Sequence, residues 1–244
     1  MFRHQGKTRT LTHNLQIASL LSFIAGIVNV VGFLAVQRLT TNVTGHFAYF
    51  MEEFLQLKFW SGLHYFLYIV FFFLGSFSSN FIIELMSRKS ERYMYAVPIL
   101  IECIILVVIG SWSARLIPEY PNTIAYSLLF AMGLQNSLVT TLSNANVRTT
   151  HLTGLFTDLG IELSQLFFYS KENKRVLVSS IKLRLTIILF FFAGGIVGGV
   201  CYSLIGISVL IITGALLFLG LVYDSIRFRL ILLRRRLKDD LHND

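Results

Sequence analysis

Residues 149–154 read Thr149-Thr150-His151-Leu152-Thr153-Gly154, and residues 40–45 read Thr40-Thr41-Asn42-Val43-Thr44-Gly45. The two strings share a Thr-Thr-x-x-Thr-Gly pattern that is unusual in so apolar a chain. The match extends outward. Phe47 and Glu53 reappear as Phe156 and Glu162 at the same offset of 109. Upstream, Gly26 and Asn29 reappear as Gly133 and Asn136, at an offset of 107. Downstream, Phe71-Phe72-Phe73 with Gly75 and Ser79 reappears as Phe190-Phe191-Phe192 with Gly194 and Gly198, at an offset of 119. Three ordered matches make an internal repeat, and a repeat decides the fold before any single motif does.

The composition sets the solvent. Of 244 residues, 55% are hydrophobic and only 14% charged. The mean hydropathy is +0.67. A soluble domain carries about 25% charged residues to cover its surface, so a soluble enzyme, a disordered chain and a collagen-like chain are all excluded. A membrane helix needs about 20 apolar residues. Six stretches qualify, at 15–36, 63–86, 94–113, 123–142, 184–203 and 205–225. The first is too long for a signal-peptide core and reads as a span. Two further segments, 41–57 and 150–169, are amphipathic and too polar for ordinary spans.

The net charge of +8 points to topology, not to nucleic acid. Arg3, Lys7 and Arg9 precede the first span. Arg88, Lys89 and Arg92 follow the second, and Arg148, Lys171, Lys174, Arg175, Lys182 and Arg184 follow the fourth. Arg227, Arg229, Arg234, Arg235, Arg236 and Lys238 follow the last. These are 18 of the 21 basic residues, and six spans place them all on one side. Only Arg38, Lys58 and Arg115 fall opposite. The positive-inside rule then puts both termini in the cytoplasm. Eight spans would move Arg88, Lys89 and Arg92 outside, so that count ranks second. Trp60 and Trp112 lie near outer span ends, where aromatic belts form.

The expected fold is an all-α integral membrane protein of six transmembrane helices plus two re-entrant or broken polar helices. Its parts are a cytoplasmic N-terminus 1–14, a first repeat 15–113, a second repeat 122–225 and a basic tail 226–244. Three spans per half is an odd number, so the second half is expected to be inverted. Transporters use this design, with the solute at the repeat interface.

Ala131-Met132-Gly133-Leu134-Gln135-Asn136, Arg148-Thr149-Thr150-His151-Leu152-Thr153-Gly154 and Thr157-Asp158-Leu159-Gly160, with Ala25-Gly26-Ile27-Val28-Asn29 and Gly32-Phe33 as their first-half counterpart, resemble the YoaK family. These are bacterial multipass membrane proteins built on a domain of unknown function. The resemblance spans roughly residues 15–225 and implies a six-span protein of the bacterial inner membrane. Family members often have Asp where this chain has Asn29, and Asn where it has His46. The resemblance implies no reaction and no substrate.

Thr is a good N-cap and Gly permits close approach. A helix starting at either motif aims free N–H groups and a positive dipole end at whatever faces it. Two re-entrant helices, at 41–57 from outside and 150–169 from inside, are expected to bring their N-terminal ends together near the midplane. The alternative is two amphipathic helices lying in the interface. The candidate solute-binding residues are Thr41, Asn42, Thr44, Gly45, Thr150, His151, Thr153 and Gly154, with the amides Asn29, Gln135 and Asn136. Those amides can equally bond neighbouring helices. His151, Asp158 and Glu162, at i, i+7 and i+11, share one helical face. Together with Glu53 they are candidates for proton coupling. Glu52 and Glu53 can equally sit among outer headgroups.

Gly75-x-x-x-Ser79, Gly194-x-x-x-Gly198 and Gly195-x-x-x-Gly199 are small-residue ridges that pack helices, between the halves or between copies in a homo-oligomer. Cys103 and Cys201 lie in apolar runs and form no metal spacing. No phosphate loop, nucleotide-binding turn or nucleophile elbow is present, so neither a cofactor nor an enzymatic activity is expected. The expected partners are the lipid bilayer and a small polar or anionic solute, with no nucleic acid. Three functions remain: a small-solute permease, a passive channel, and a non-transporting scaffold or assembly protein.

Overall fold

The computed structural model describes residues 10–88, 94–111, 116–143 and 147–243, with the side chains of Leu116, residues 171–173 and residues 227–243 left aside. Arg3, Lys7, Arg9, Lys89, Arg92, Trp112 and Arg115 fall outside the described residues. The described chain is helical: α1 Leu11–Val36, α2 Val43–Leu55, α3 Phe59–Ser87, α4 Ala96–Gly110, a short α5 Leu116–Glu119, α6 Pro121–Leu142, α7 Leu152–Gln165, α8 Lys171–Ile205 and α9 Val209–Asn243.

Local chemistry sets the helix ends. Thr10 and His13 form a capping box at the start of α1, and Pro121 occupies the first position of α6. The expected Thr caps are not the caps of α2 and α7. Asn42 caps α2, its side chain accepting from the Gly45 N–H at 3.0 Å. His151 stands at the cap of α7 without a side-chain bond to the helix. Between α8 and α9 the chain turns through Gly206 at φ +62, a conformation that costs glycine little.

Among the described residues, three helical segments are long and apolar enough to cross a membrane: Leu11–Val36, Phe59–Ser87, and the continuous stretch Lys174–Ile226, which holds the Gly206 corner. Together they make the chain a membrane-embedded, all-helical protein. The expected span 94–113 shortens to Ala96–Gly110, an apolar helix of 15 residues, and α6 carries Gln135 and Asn136 among its apolar residues. Two expected boundaries move further. The helix expected from 184 begins at Lys171, and α9 runs through the basic tail to Asn243. Charged residues hide such extensions from hydropathy, although Lys and Arg are good helix formers.

The helices pack in matching pairs. α1 lies on α8 and α3 lies on α6, the two most extensive contacts; α4 lies on α9 and α1 also meets α6. A Cβ on Gly26 would run into the Phe191 carbonyl, and one on Gly194 into the Phe23 carbonyl. In the other pair, Gly133 meets the Phe72 carbonyl and Gly75 the Phe130 carbonyl. Phe23 and Gly26 become Phe130 and Gly133 at an offset of 107, and Phe72 and Gly75 become Phe191 and Gly194 at 119, the offsets already seen in the sequence. The small-residue ridges are therefore covered within one chain. Gly195 and Gly199 face Val30, Gly198 faces Ile27, and Ser79 is fully buried.

Candidate functional site

After α1 the chain turns back along that helix. Thr40 donates to the Val28 carbonyl at 3.1 Å and fills the space beside Gly32. Thr41 donates to Asn29 Oδ1 at 2.6 Å. Asn29 lies seven residues before Val36, so α2 starts about 10 Å back along α1. α2 then runs antiparallel to α3. His46 faces Tyr68 at 4.6 Å between ring centroids, Phe50 faces Phe66 at 5.8 Å, and Phe54 faces Phe59 at 5.6 Å.

The second half repeats this arrangement. Asn136 Nδ2 donates to Thr150 Oγ1 at 2.7 Å, and Thr149 donates to Asn136 Oδ1 at 3.2 Å. Gln135 Nε2 donates to Thr149 and also to the Leu21 carbonyl of α1. α7 runs antiparallel to α8, with Asp158 beside Arg184 and Glu162 beside Ser180. The two helix starts do not meet, and α2 and α7 make no contact. Gln135 is bonded at the level of Leu21, eight residues from Asn29, which separates the two levels by about 12 Å along α1. Thr41, Thr150, Asn29, Gln135 and Asn136 all hold the chain in place by hydrogen bonds within the protein. This is the bracing role open to such amides. Asn42, Thr44, Thr153 and His151 remain exposed.

The two crevices differ in chemistry. Between α2 and α3 lies an apolar groove of about 270 Å³ lined by Phe50, Phe54, Phe59, Gly62, Leu63 and Phe66. Between α7 and α8 lies a polar cavity of about 370 Å³ lined by Arg148, His151, Gly154, Leu155, Asp158, Ser180, Leu183 and Arg184. Where Tyr49 stacks on Tyr65 at 5.2 Å in the first half, Asp158 pairs with Arg184 at 2.8 Å in the second. The offsets are again 109 and 119. Arg184 also bonds Glu162 at 2.9 Å, and Ser180 donates to the other Glu162 oxygen at 2.6 Å. The guanidinium thus ties the two candidate carboxylates together. Arg148 makes no ion pair among the described residues. Gly154 leaves room for the His151 ring, which folds over the start of α7. Glu53 stands apart, near Gly62, with a buried Oε2 that has no partner.

Arg184 enters the sequence reading only as a topological charge, and Ser180 does not enter it at all. Their role comes from the antiparallel docking of α7, which no local pattern reveals. Glu102 is also new. It is fully buried in α4, and neither carboxyl oxygen has a hydrogen-bond partner among the described residues. Its signal was a single carboxylate inside an apolar run.

Apolar helices, buried polar braces and a charged crevice define an all-helical membrane protein. Within that class the chain belongs to the family described as Protein of unknown function (DUF1275), whose model matches residues 17–223. No curated protein and no solved structure matches it.

Proposed function

We propose that the chain is a YoaK-like, six-span permease of the bacterial inner membrane that moves a small anionic or strongly polar solute. Both termini face the cytoplasm, and the two halves are inverted repeats. α2 and α7 are its re-entrant helices. Support for that architecture comes from the matched glycine contacts and from the antiparallel docking of α2 on α3 and α7 on α8. A helix lying in the interface would cross its neighbour instead.

The observation that carries the solute class is the cavity at the start of α7. Arg148, His151 and the N-terminal end of a 14-residue helix all favour negative charge there. Arg184 shares the cavity but already holds Asp158 and Glu162. Solute binding therefore competes with an internal ion pair, and release of that pair is the step that frees the two carboxylates for proton exchange. Gly154 lines that cavity in the second half, and Thr153 is exposed next to it in the chain. Asn42, Thr44 and Gly45 form the corresponding start in the first.

Purified protein is screened against a panel of small anions by thermal shift, and the hits are tested for uptake into proteoliposomes. Saturable uptake that responds to a pH gradient is expected. Non-saturating, gradient-independent flux replaces the permease with a channel. No flux for any hit, with a stable protein complex purified instead, replaces it with a scaffold.

A further inference from the structure

Glu102 lies near the middle of α4, six residues from Ala96 and eight from Gly110, or about 9 and 12 Å from the helix ends. It falls on the buried stripe of that helix with Ile99, Cys103 and Leu106. Its exposure is 0%, and both carboxyl oxygens are buried without a donor among the described residues. α4 packs against α6, α9, α3 and the turn at residues 206–208. Among the described side chains of these elements there is no cation: no Lys or Arg occurs in α3, α6, residues 206–208 or residues 209–226. Their titratable groups are Tyr126 on α6, Tyr223 and Asp224 on α9, and His64, Tyr65, Tyr68 and Glu84 on α3. None of them is bonded to Glu102. His64 and Tyr68 are bonded elsewhere, to Tyr126 and Asn122.

A carboxylate sealed in apolar surroundings with neither cation nor donor costs several kcal/mol or more. A neutral acid in the same place costs far less. A residue that costs stability at rest, and pairs with nothing, has no packing reason to be Glu where Gln or Leu would fit. Intramembrane acids of this kind mark proton pathways.

We propose that Glu102 is a proton-binding site. It is a carboxylic acid held un-ionised in the α4–α6–α9 core, and it exchanges its proton when that core opens. Its use as the coupling group rests on the permease reading; the site itself does not. Of the other candidate carboxylates, Asp158 and Glu162 share the one guanidinium of Arg184, and Glu53 is only half-buried, whereas Glu102 is fully buried with neither an ion pair nor a hydrogen bond among the described residues.

Infrared difference spectroscopy of the purified full-length protein in lipid reads this directly. Wild type minus Glu102→Gln at neutral pH is expected to show the carbonyl stretch of one un-ionised carboxylic acid. That band shifts after transfer to D2O, slowly at first and faster on warming. In Glu102→Asp the band moves in frequency and persists, which keeps the assignment testable if the Gln variant fails to fold. Absence of the band overturns the proposal. So does a band that never shifts in D2O, since that describes a static structural acid. The band is present or absent whether or not any solute is transported, so failure of the permease reading leaves a separate mark. With a transported solute in hand, Glu102→Gln is expected to abolish gradient-driven uptake while sparing solute exchange at equal pH. Retained gradient-driven uptake overturns the coupling role.

Discussion

Thr41 donates its hydroxyl proton to Asn29 Oδ1 across twelve residues of chain, and Thr150 accepts one from the Asn136 amide across fourteen. The direction differs but the brace is the same: an amide on a long helix pins the residue just before a short polar helix. A double-mutant cycle of Asn29→Ala with Thr41→Val is expected to give a coupling energy of about 0.6 kcal/mol, and no more than about 1.7. Denaturant unfolding in micelles measures it. Additive losses would show that the two groups do not interact.

The glycine contacts make a second expectation. Gly26, Gly75, Gly133 and Gly194 each face a backbone carbonyl, and backbone cannot swing aside as a side chain does. Ala at any of these positions is expected to cost about 1–3 kcal/mol through overpacking. Gly160 has nothing within 4 Å of a new Cβ, and it lies mid-helix in α7. Gly160→Ala is expected to stabilise by about 0.5–1 kcal/mol. Thermal unfolding of the five variants tests the contrast, which reverses if the helix pairs are misplaced.

At the polar cavity, His151→Ala and Asp158→Asn are expected to abolish uptake while leaving membrane insertion intact. Arg184→Ala is expected to remove uptake and also to lower stability, because among the described residues it leaves Glu162 with Ser180 as its one remaining hydrogen-bond partner. The loss expected for a charged hydrogen bond is about 1.5–3 kcal/mol. Flux assays beside unfolding curves separate the two effects. Normal flux in both His151→Ala and Asp158→Asn removes the cavity from the transport path.

Topology has a direct measurement. In a background without Cys103 and Cys201, Lys58→Cys is expected to react with an impermeant maleimide from outside. Lys174→Cys is expected to react only after permeabilisation. Outside labelling at residue 174 contradicts the six-span arrangement.

Much of the architecture is legible because apolar runs are long and charges cluster. α1, α3 and α6 begin and end close to where hydropathy alone places them. The first turns of α8 and the far end of α9 are not legible in that way, since Lys171–Leu183 and the basic tail are helical without being apolar. The sunken helix starts are legible as repeated Thr-Gly strings, but their bonding is not. Which residue caps, and which amide accepts, depends on the path of residues 37–42 and 147–151 back along α1 and α6. Arg184 is invisible as a site residue because its partners lie 22 and 26 positions away. Glu102 is hidden for the opposite reason: strongly apolar neighbours keep the local average high around a lone carboxylate.

The pairing of α1 with α8, and of α3 with α6, also constrains how the molecule can be made. On the ribosome, α1 leaves the tunnel long before the surface that buries its glycine ridge has been translated. A chain stopped after the first half would present Gly26 and Gly75 with no cover, and so would the second half alone with Gly133 and Gly194. Neither half is a self-sufficient folding unit. Yet two separately encoded halves, synthesised together, would restore all four of these glycine contacts.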